Sequence, residues 1–234
     1  MPSIVRVFLF FFVFINLTQA QRYDRSTRNY LEFQHKPYYF GITLGYNNTG
    51  FNIARGKNFA LNDSISGVTS PGSSGFNLGI VGNLKLGQYF DLRLLPTLCF
   101  SSRSLEFTGL YSRSTITKSA ESVMIELPLQ VRYKSALYHD TRLLVLAGVK
   151  YSMDLAANSR QRNQANAVKL APTDFAFEWG VGFQIFFPYF IFTPEIKFSY
   201  GLGNALLYEK NLIYTNTLEK VFTRAVTISF HFEG

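Results

Sequence analysis

From Phe175 to Ile185 every second residue is apolar: Phe175, Phe177, Trp179, Val181, Phe183 and Ile185 form one row, with Ala176, Glu178, Gly180, Gly182 and Gln184 between them. A period of two is the mark of a β-strand, whose successive side chains point to opposite faces. After an interruption at Phe187-Pro188-Tyr189 the pattern resumes, with Phe192, Pro194, Ile196, Phe198 and Tyr200 opposite Thr193, Glu195, Lys197 and Ser199. From Ser122 to Lys134, Val123, Ile125, Leu127, Leu129, Val131 and Tyr133 oppose Glu126, Gln130, Arg132 and Lys134. From Thr141 to Ser152, Leu143, Val145, Ala147, Val149 and Tyr151 oppose Arg142, Gly148 and Lys150. From Phe90 to Phe100, Phe90, Leu92, Leu94, Pro96 and Leu98 oppose Asp91, Arg93, Thr97 and Cys99. Weaker versions run from Tyr38 to Tyr46, Gly75 to Leu86 and Val221 to Phe232, which makes eight predicted strands.

The links between these strands alternate in length. Gly87-Gln88, Ser135 to Asp140 and Phe187 to Phe190 are short enough for hairpin turns. Asn47 to Ser74, Arg103 to Ala120, Asp154 to Thr173 and Asn204 to Lys220 are longer and rich in Asn, Ser, Thr, Gly, Lys and Arg. Short turns on one rim and long polar loops on the other predict an all-β, eight-stranded, antiparallel up-and-down barrel crossing the outer membrane. On that topology both chain ends lie on the periplasmic side and the long loops outside.

A soluble barrel alternates too, but buries its apolar row and exposes its charges. Here the row opposite the apolar one is heavy in glycine (Gly41, Gly45, Gly79, Gly148, Gly180 and Gly182), which suits a narrow lumen better than a solvated surface. Aromatics gather at strand ends, with Tyr38, Tyr89, Tyr133, Tyr189 and Phe232 toward one rim and Tyr46, Tyr151 and Tyr200 toward the other, as interfacial girdles require. The composition, 17% aromatic and 16% charged, agrees with a wall facing lipid. Arg224 is the exception, falling on the apolar row near a strand end, where its head can snorkel to water.

The chain opens MPSIVRVFLFFFVFINLTQAQ, a basic residue, an apolar run and a small-residue cut site, which predicts a signal peptide over 1–20. A periplasmic segment over 21–36 and the barrel over 37–234 complete the expected organisation. Beyond the leader no apolar run is long enough for a spanning helix. The single cysteine, Cys99, excludes an internal disulfide and offers no metal motif.

Removing Arg6 with the leader changes the formal charge from +8 to +7. The strands and turns carry equal numbers of basic and acidic residues, so the surplus falls in the long loops and in 21–36. A balanced interior implies that Arg93, Glu126, Arg132, Lys150, Glu178, Glu195 and Lys197 pair with one another in the lumen, because unpaired enclosed charges are costly. The positive loops fit the phosphates of lipopolysaccharide, and outer-membrane lipid is the expected surrounding. Nucleic acid is not an expected partner in that compartment, and a monomeric barrel is expected.

Chemistry at the outer leaflet would need a histidine with a serine or acidic partner there. The three histidines, His35, His139 and His231, all fall toward the periplasmic rim of this topology. His231 and Glu233 share a face, a spacing common in any strand. The expectation is therefore a non-enzymatic barrel with no catalytic residues, cofactor or metal.

Five segments carry a resemblance beyond the alternation: HKPYYFGITLGYN, GFNLGIVGNLKLGQYFDLRLLPTLCF, IELPLQVRYKS, LAGVKYSMDLAAN and FTPEIKFSYGLGN. Together they resemble the PorT family of small outer-membrane barrels from Bacteroidota, over Lys36 to Phe232. That resemblance implies a component of the type IX secretion system, with other components of that machinery as partners. It also implies a requirement in the export of proteins with a C-terminal sorting domain, secreted proteases or gliding adhesins, and so a link to gliding motility. It brings no catalytic residues. The chain departs from the usual terminal aromatic by ending FHFEG, with Phe230 and Phe232 as its substitutes. A small porin-like or ligand-binding barrel unrelated to secretion is the alternative.

Overall fold

The computed structural model describes residues 28–55, 65–109, 115–155, 171–205 and 218–234. The expected signal peptide, the first part of the segment over 21–36 and stretches of each long link lie outside the described residues. A short helix, α1 (Arg28–Gln34), precedes β1 (Tyr38–Arg55), β2 (Ile65–Thr69), β3 (Ser73–Lys85), β4 (Phe90–Leu94), β5 (Thr97–Gly109), β6 (Thr115–Lys134), β7 (Thr141–Asp154), β8 (Thr173–Phe186), β9 (Ile191–Gly201) and β10 (Leu218–Glu233). Every pairing is antiparallel. The sheet closes on itself because β1 pairs with β3 on one side (Tyr38↔Leu84) and with β10 on the other (Gly41↔Glu233). Strands β4 and β5 form one interrupted wall strand, and β2 pairs only with the far end of β5, which leaves eight strands in the closed wall.

The β4–β5 interruption has a chemical cause. Pro96 has no N–H for the ladder, yet register is kept across it, since Gly82 faces Leu94 and Gly79 faces Thr97. The carbonyl of Pro96 accepts from Ile80 N at 3.0 Å, and Leu95 N donates to Pro128 O at 3.1 Å. The predicted continuous strand from Phe90 to Phe100 is thus nicked by one proline, with its alternation intact.

Two of the predicted links are corrected. The stretch Arg103 to Ala120 is mostly a continuation of the β5–β6 hairpin, paired as far as Thr108↔Thr115. Likewise β1 continues through Asn47 to Arg55 before the link to β3, which itself contains β2. Ladder hydrogen bonds do not require an apolar row, so these extensions carry no alternation that a sequence reading could detect.

The wall is turned inside out relative to a soluble barrel. In β8 the burial alternates along the strand, with Phe175, Phe177, Trp179, Val181 and Phe183 exposed and Ala176, Glu178, Gly180, Gly182 and Gln184 enclosed. The same parity holds in β1, where Phe40, Ile42 and Leu44 are exposed and Tyr39, Thr43 and Asn47 are buried. Of the rim aromatics, Tyr38, Tyr46, Tyr89, Tyr133, Tyr189, Tyr200 and Phe232 are exposed and Tyr151 is half-buried. Arg224 is exposed opposite Gly50. No helix among the described residues is long and apolar enough to cross a membrane.

At the short-turn rim the connections β3–β4, β6–β7 and β8–β9 are tight. Gly87 adopts φ +148°, a conformation that L side chains rarely accept, and His139 takes φ +51° in the β6–β7 turn. Helix α1 folds back over this rim. Phe33 is buried with Tyr39, Phe186 and Ile191, the Tyr30 ring meets the Phe186 ring edge-on at 5.1 Å, and Asn29 donates to Phe186 O at 3.1 Å.

The enclosed glycines stand where bulky lumen residues need room. Gly180 faces Lys197 and Gly182 faces Glu195 across β8–β9, while Gly148 faces Glu178 across β7–β8. A Cβ on Gly182 would lie 2.6 Å from Pro194 O and 2.7 Å from Glu195 Cγ. Gly182→Val should therefore displace the Glu195 side chain and destabilise the barrel by about 1–3 kcal/mol, the usual cost of overpacking. A urea titration of the vesicle-refolded barrel measures this, and an unchanged midpoint would contradict the steric argument.

Candidate functional site

The candidate site is the lumen, because the closed wall brings charged side chains from distant parts of the chain onto one axis. Nearest the short-turn rim, Arg93 on β4 donates from Nη1 to Glu195 Oε1 on β9 at 2.6 Å and from Nη2 to Glu233 on β10. With eight wall strands, β4 and β9 are four strands apart by either route, so Arg93–Glu195 spans the barrel. Arg132 on β6 sits beside it, donating to Asp91 Oδ2 at 2.9 Å and to the Tyr39 hydroxyl at 2.7 Å, with Glu195 Oε1 at 3.8 Å and Glu233 Oε1 at 3.9 Å. Lys134 Nζ reaches the other Asp91 oxygen at 2.6 Å. His231 Nε2 lies 3.0 Å from Glu195 Oε2. These side chains are at most 2% exposed.

A second layer lies deeper in the barrel. Lys150 on β7 bridges its two neighbours, reaching Glu126 Oε1 at 3.0 Å and Glu178 Oε1 at 3.6 Å. Gln130 Nε2 and Ser199 Oγ both donate to Glu178, at 2.9 and 2.7 Å. The carboxylate thereby receives bonds from β6 and β9 as well as from β7. The space bordered by Thr43, Glu126, Glu178 and Lys197 has a volume of about 10 Å³, room for about one water molecule. At this level the lumen is filled by its own side chains.

The seven residues read from the sequence as a lumen network are all buried. Six of them make the direct ion pairs just described. Lys197 is buried within the field of Glu178 and Glu195, and no direct ion pair joins it to a described carboxylate. The sequence reading missed Asp91, Lys134, His231, Glu233 and Tyr39 as members. The signal was present for Asp91 and Lys134, which lie on the polar row of their strands. Glu233 and His231 also follow the parity of β10, but their partners are fixed only by barrel closure.

Chemically, this arrangement holds charge rather than moving it. His231 pairs with Glu195, not with Glu233, and both are sealed from solvent, so no substrate can reach the pair. His35 and His139 are exposed at the rim, where the Tyr138 ring packs edge-on against His139 at 4.4 Å.

A model of the outer membrane protein β-barrel domain matches residues 19–207. The chain belongs to that family. Solved structures of small outer-membrane barrels are similar in fold. OprG from Pseudomonas aeruginosa is 14% identical at a TM-score of 0.49, covering 86% of this chain and 97% of its own. Neisserial surface protein A is 9% identical at a TM-score of 0.44, covering 84% and 97%. Ail of Yersinia pestis, solved in complex with the heparin analogue sucrose octasulfate, is 10% identical at a TM-score of 0.39, covering 85% and 100%. No curated protein sequence matches the chain. As an outer-membrane barrel, the protein presents its exposed aliphatic and aromatic rows to lipid, and its buried charges form a core that lipid cannot solvate.

Removing one member of a buried ion cluster leaves its partners uncompensated, which typically costs about 3–5 kcal/mol. Arg93→Met should destabilise the refolded barrel by that order because it strips both Glu195 and Glu233 of their closest cation. The urea midpoint of the variant in lipid vesicles measures the loss, and a midpoint equal to that of the parent would show that the cluster contributes nothing to stability.

Proposed function

We propose that this outer-membrane barrel serves protein secretion as a non-enzymatic component of a type IX secretion system, needed for export of proteins with a C-terminal sorting domain. The observation that carries the reading is the filled lumen. A barrel whose axis is occupied by the Arg93–Glu195–Glu233 and Lys150–Glu126–Glu178 clusters is unsuited to conduct cargo, so its ends and its lipid-facing wall are its working surfaces. The resemblance of Lys36 to Phe232, lumen residues included, to the PorT family supplies the choice of machinery. The protein acts beside a translocation path, as an accessory or assembly factor.

In this reading the short turns and both chain ends are periplasmic, and the opposite rim, where β1 ends at Arg55, β7 at Asp154 and β9 at Gly201, faces outward. Helix α1 then stands at the periplasmic mouth, packed on the barrel by Tyr30 and Phe33 while Leu31 is half exposed beside them. That exposed leucine is the contact offered to periplasmic secretion components. The cationic loops meet lipopolysaccharide on the other side.

Deleting the gene in the source bacterium should remove sorting-domain proteins from the secreted proteome while leaving other exported proteins in place. An unchanged secreted proteome would sink the secretion reading. Full-length protein in planar bilayers should show no steady conductance, and a stable open channel would favour the porin-like alternative instead. Leu31→Glu should lower export with the barrel still heat-modifiable on gels, whereas normal export would remove α1 as the contact.

A further inference from the structure

The charges enclosed by the described residues do not balance at one place. Six buried cations (Arg93, Arg132, Lys134, Arg142, Lys150 and Lys197) stand against five buried carboxylates (Asp91, Glu126, Glu178, Glu195 and Glu233). Five of the cations lie within the lumen network. Arg142 does not: it is 5% exposed, its Nε has no hydrogen-bond partner, and no described carboxylate pairs with it. Its guanidinium packs against two rings instead, 4.2 Å from the centre of Tyr30 and 5.5 Å from that of Phe186. Stacking offsets only part of the cost of enclosing a charge.

Arg142 lines a cavity of about 570 Å³ at the short-turn rim, enclosed between α1 and the ends of β3, β6 and β7. This is within the usual range for a small-molecule site. Lys36, Lys85 and Lys134 line the same space, and no carboxylate among the described residues does. Lys134 is neutralised by Asp91 at 2.6 Å. Lys85 donates to Phe33 O and lies opposite Asp91 across β3–β4, in the field of a carboxylate already shared by Arg132 and Lys134, and Lys36 lies over the Phe33 ring at 5.3 Å. Arg142 is near enough to repel both Lys85 and Lys134, and Lys36 near enough to repel Lys85. Asp140, the carboxylate at the β6–β7 turn, accepts from Tyr30 N at 3.4 Å on the helix side. Between the cations the walls are mixed, with Tyr30, Tyr89 and Leu137 beside the polar His35, Gln88 and Ser135.

We propose that this rim cavity binds the phosphate group of a small organic phosphate, with Arg142, Lys85 and Lys36 as its ligands and the two tyrosines against the organic portion. Arg142, Lys85, Lys134 and Lys36 share only Asp91 among the described carboxylates near them, so the excess of positive charge suits a dianion, and a phosphate monoester carries about −1.5 to −2 at neutral pH with three acceptor oxygens. The buried Arg142 guanidinium, whose Nε has no hydrogen-bond partner, supplies a planar donor array matched to such oxygens. The source is either a soluble phosphate ester or a phospholipid headgroup drawn from the adjoining leaflet. The inference is independent of a role in secretion, since it rests on the rim alone.

The test is calorimetric titration of the full-length protein, extracted from the outer membrane into zwitterionic detergent. The probes are glycerol 3-phosphate, short-chain phosphatidylglycerol, and propionate as a carboxylate control. Saturable one-to-one binding of either phosphate probe is expected, weakening with added salt and falling about tenfold in both Lys85→Gln and Arg142→Gln, the loss expected for one charge-assisted contact. Tighter binding of the ester assigns a soluble ligand, and tighter binding of the lipid assigns a headgroup; either sustains the site. Lys85→Gln guards against misfolding of the more buried Arg142 variant, and heat-modifiability on gels reports folding of both. Absence of saturable binding, affinity unchanged in a folded Lys85→Gln protein, or propionate binding as tightly as the phosphates would each overturn the proposal.

Discussion

The contact on which the barrel depends is the ion pair from Arg93 across the lumen to Glu195, with Glu233 on the same guanidinium. This outer-membrane barrel turns most of its apolar rows to lipid, and the few apolar side chains left inside, such as Val81, Leu144 and Leu146, stand among charged and polar ones. Its interior must then be cohesive by other means. Charges enclosed with little water are stable only when matched, and a match across the axis acts on walls that share no backbone hydrogen bonds. Arg93 and Glu195 are 102 residues apart in sequence, so the pair exists only when the sheet has closed. Closure, register and charge are therefore one condition: a shift of one residue between β9 and β10 would turn Glu195 or Glu233 toward lipid.

The glycines belong to the same constraint. A charged side chain in a narrow lumen lies along the wall before it reaches its partner, and the wall must make space for it. Gly180 opposite Lys197, Gly182 opposite Glu195 and Gly148 opposite Glu178 provide that space. What looks in the sequence like an alternation weakened by glycine is a lumen face shaped around its charges. The same filling leaves about one water's volume between Glu126, Glu178 and Lys197, which turns attention from the axis to the ends of the barrel.

Much of this was legible in the sequence. The strand Phe175 to Ile185 announces itself because one of its faces must suit lipid and the other must not, and the same two-sided demand marks each of the eight wall strands within the membrane. Where the demand ends, so does the signal: the β5–β6 hairpin beyond Arg103 and the run of β1 past Asn47 are held by ladder bonds that any polar sequence can make. Membership of the lumen network could be read from parity, as for Arg93, Glu126 and Glu195. Partnership could not, because which wall faces which depends on strand number and stagger. Asp91 illustrates the gap. Its row was clear, but only closure shows it shared by Arg132, Lys134 and the Tyr39 hydroxyl. Helix α1 was missed because its packing rests on Tyr30 and Phe33, a spacing of three that a search for period two passes over.

The placement of α1 also explains how an unmatched cation survives at the rim. Arg142 begins β7 on the polar row, so parity sends its side chain inward, beyond the last carboxylate of the network. Without the helix it would meet water at the mouth of the barrel. With Tyr30 at 4.2 Å it is covered by a ring face, which attracts a cation without cancelling its charge. The roof that seals the lumen thus encloses a positive site beside a cavity, and the neutrality that governs the rest of the interior stops at that boundary. The network resists change because all its charges except Lys197 are directly paired, while the rim retains a charge able to answer something from outside.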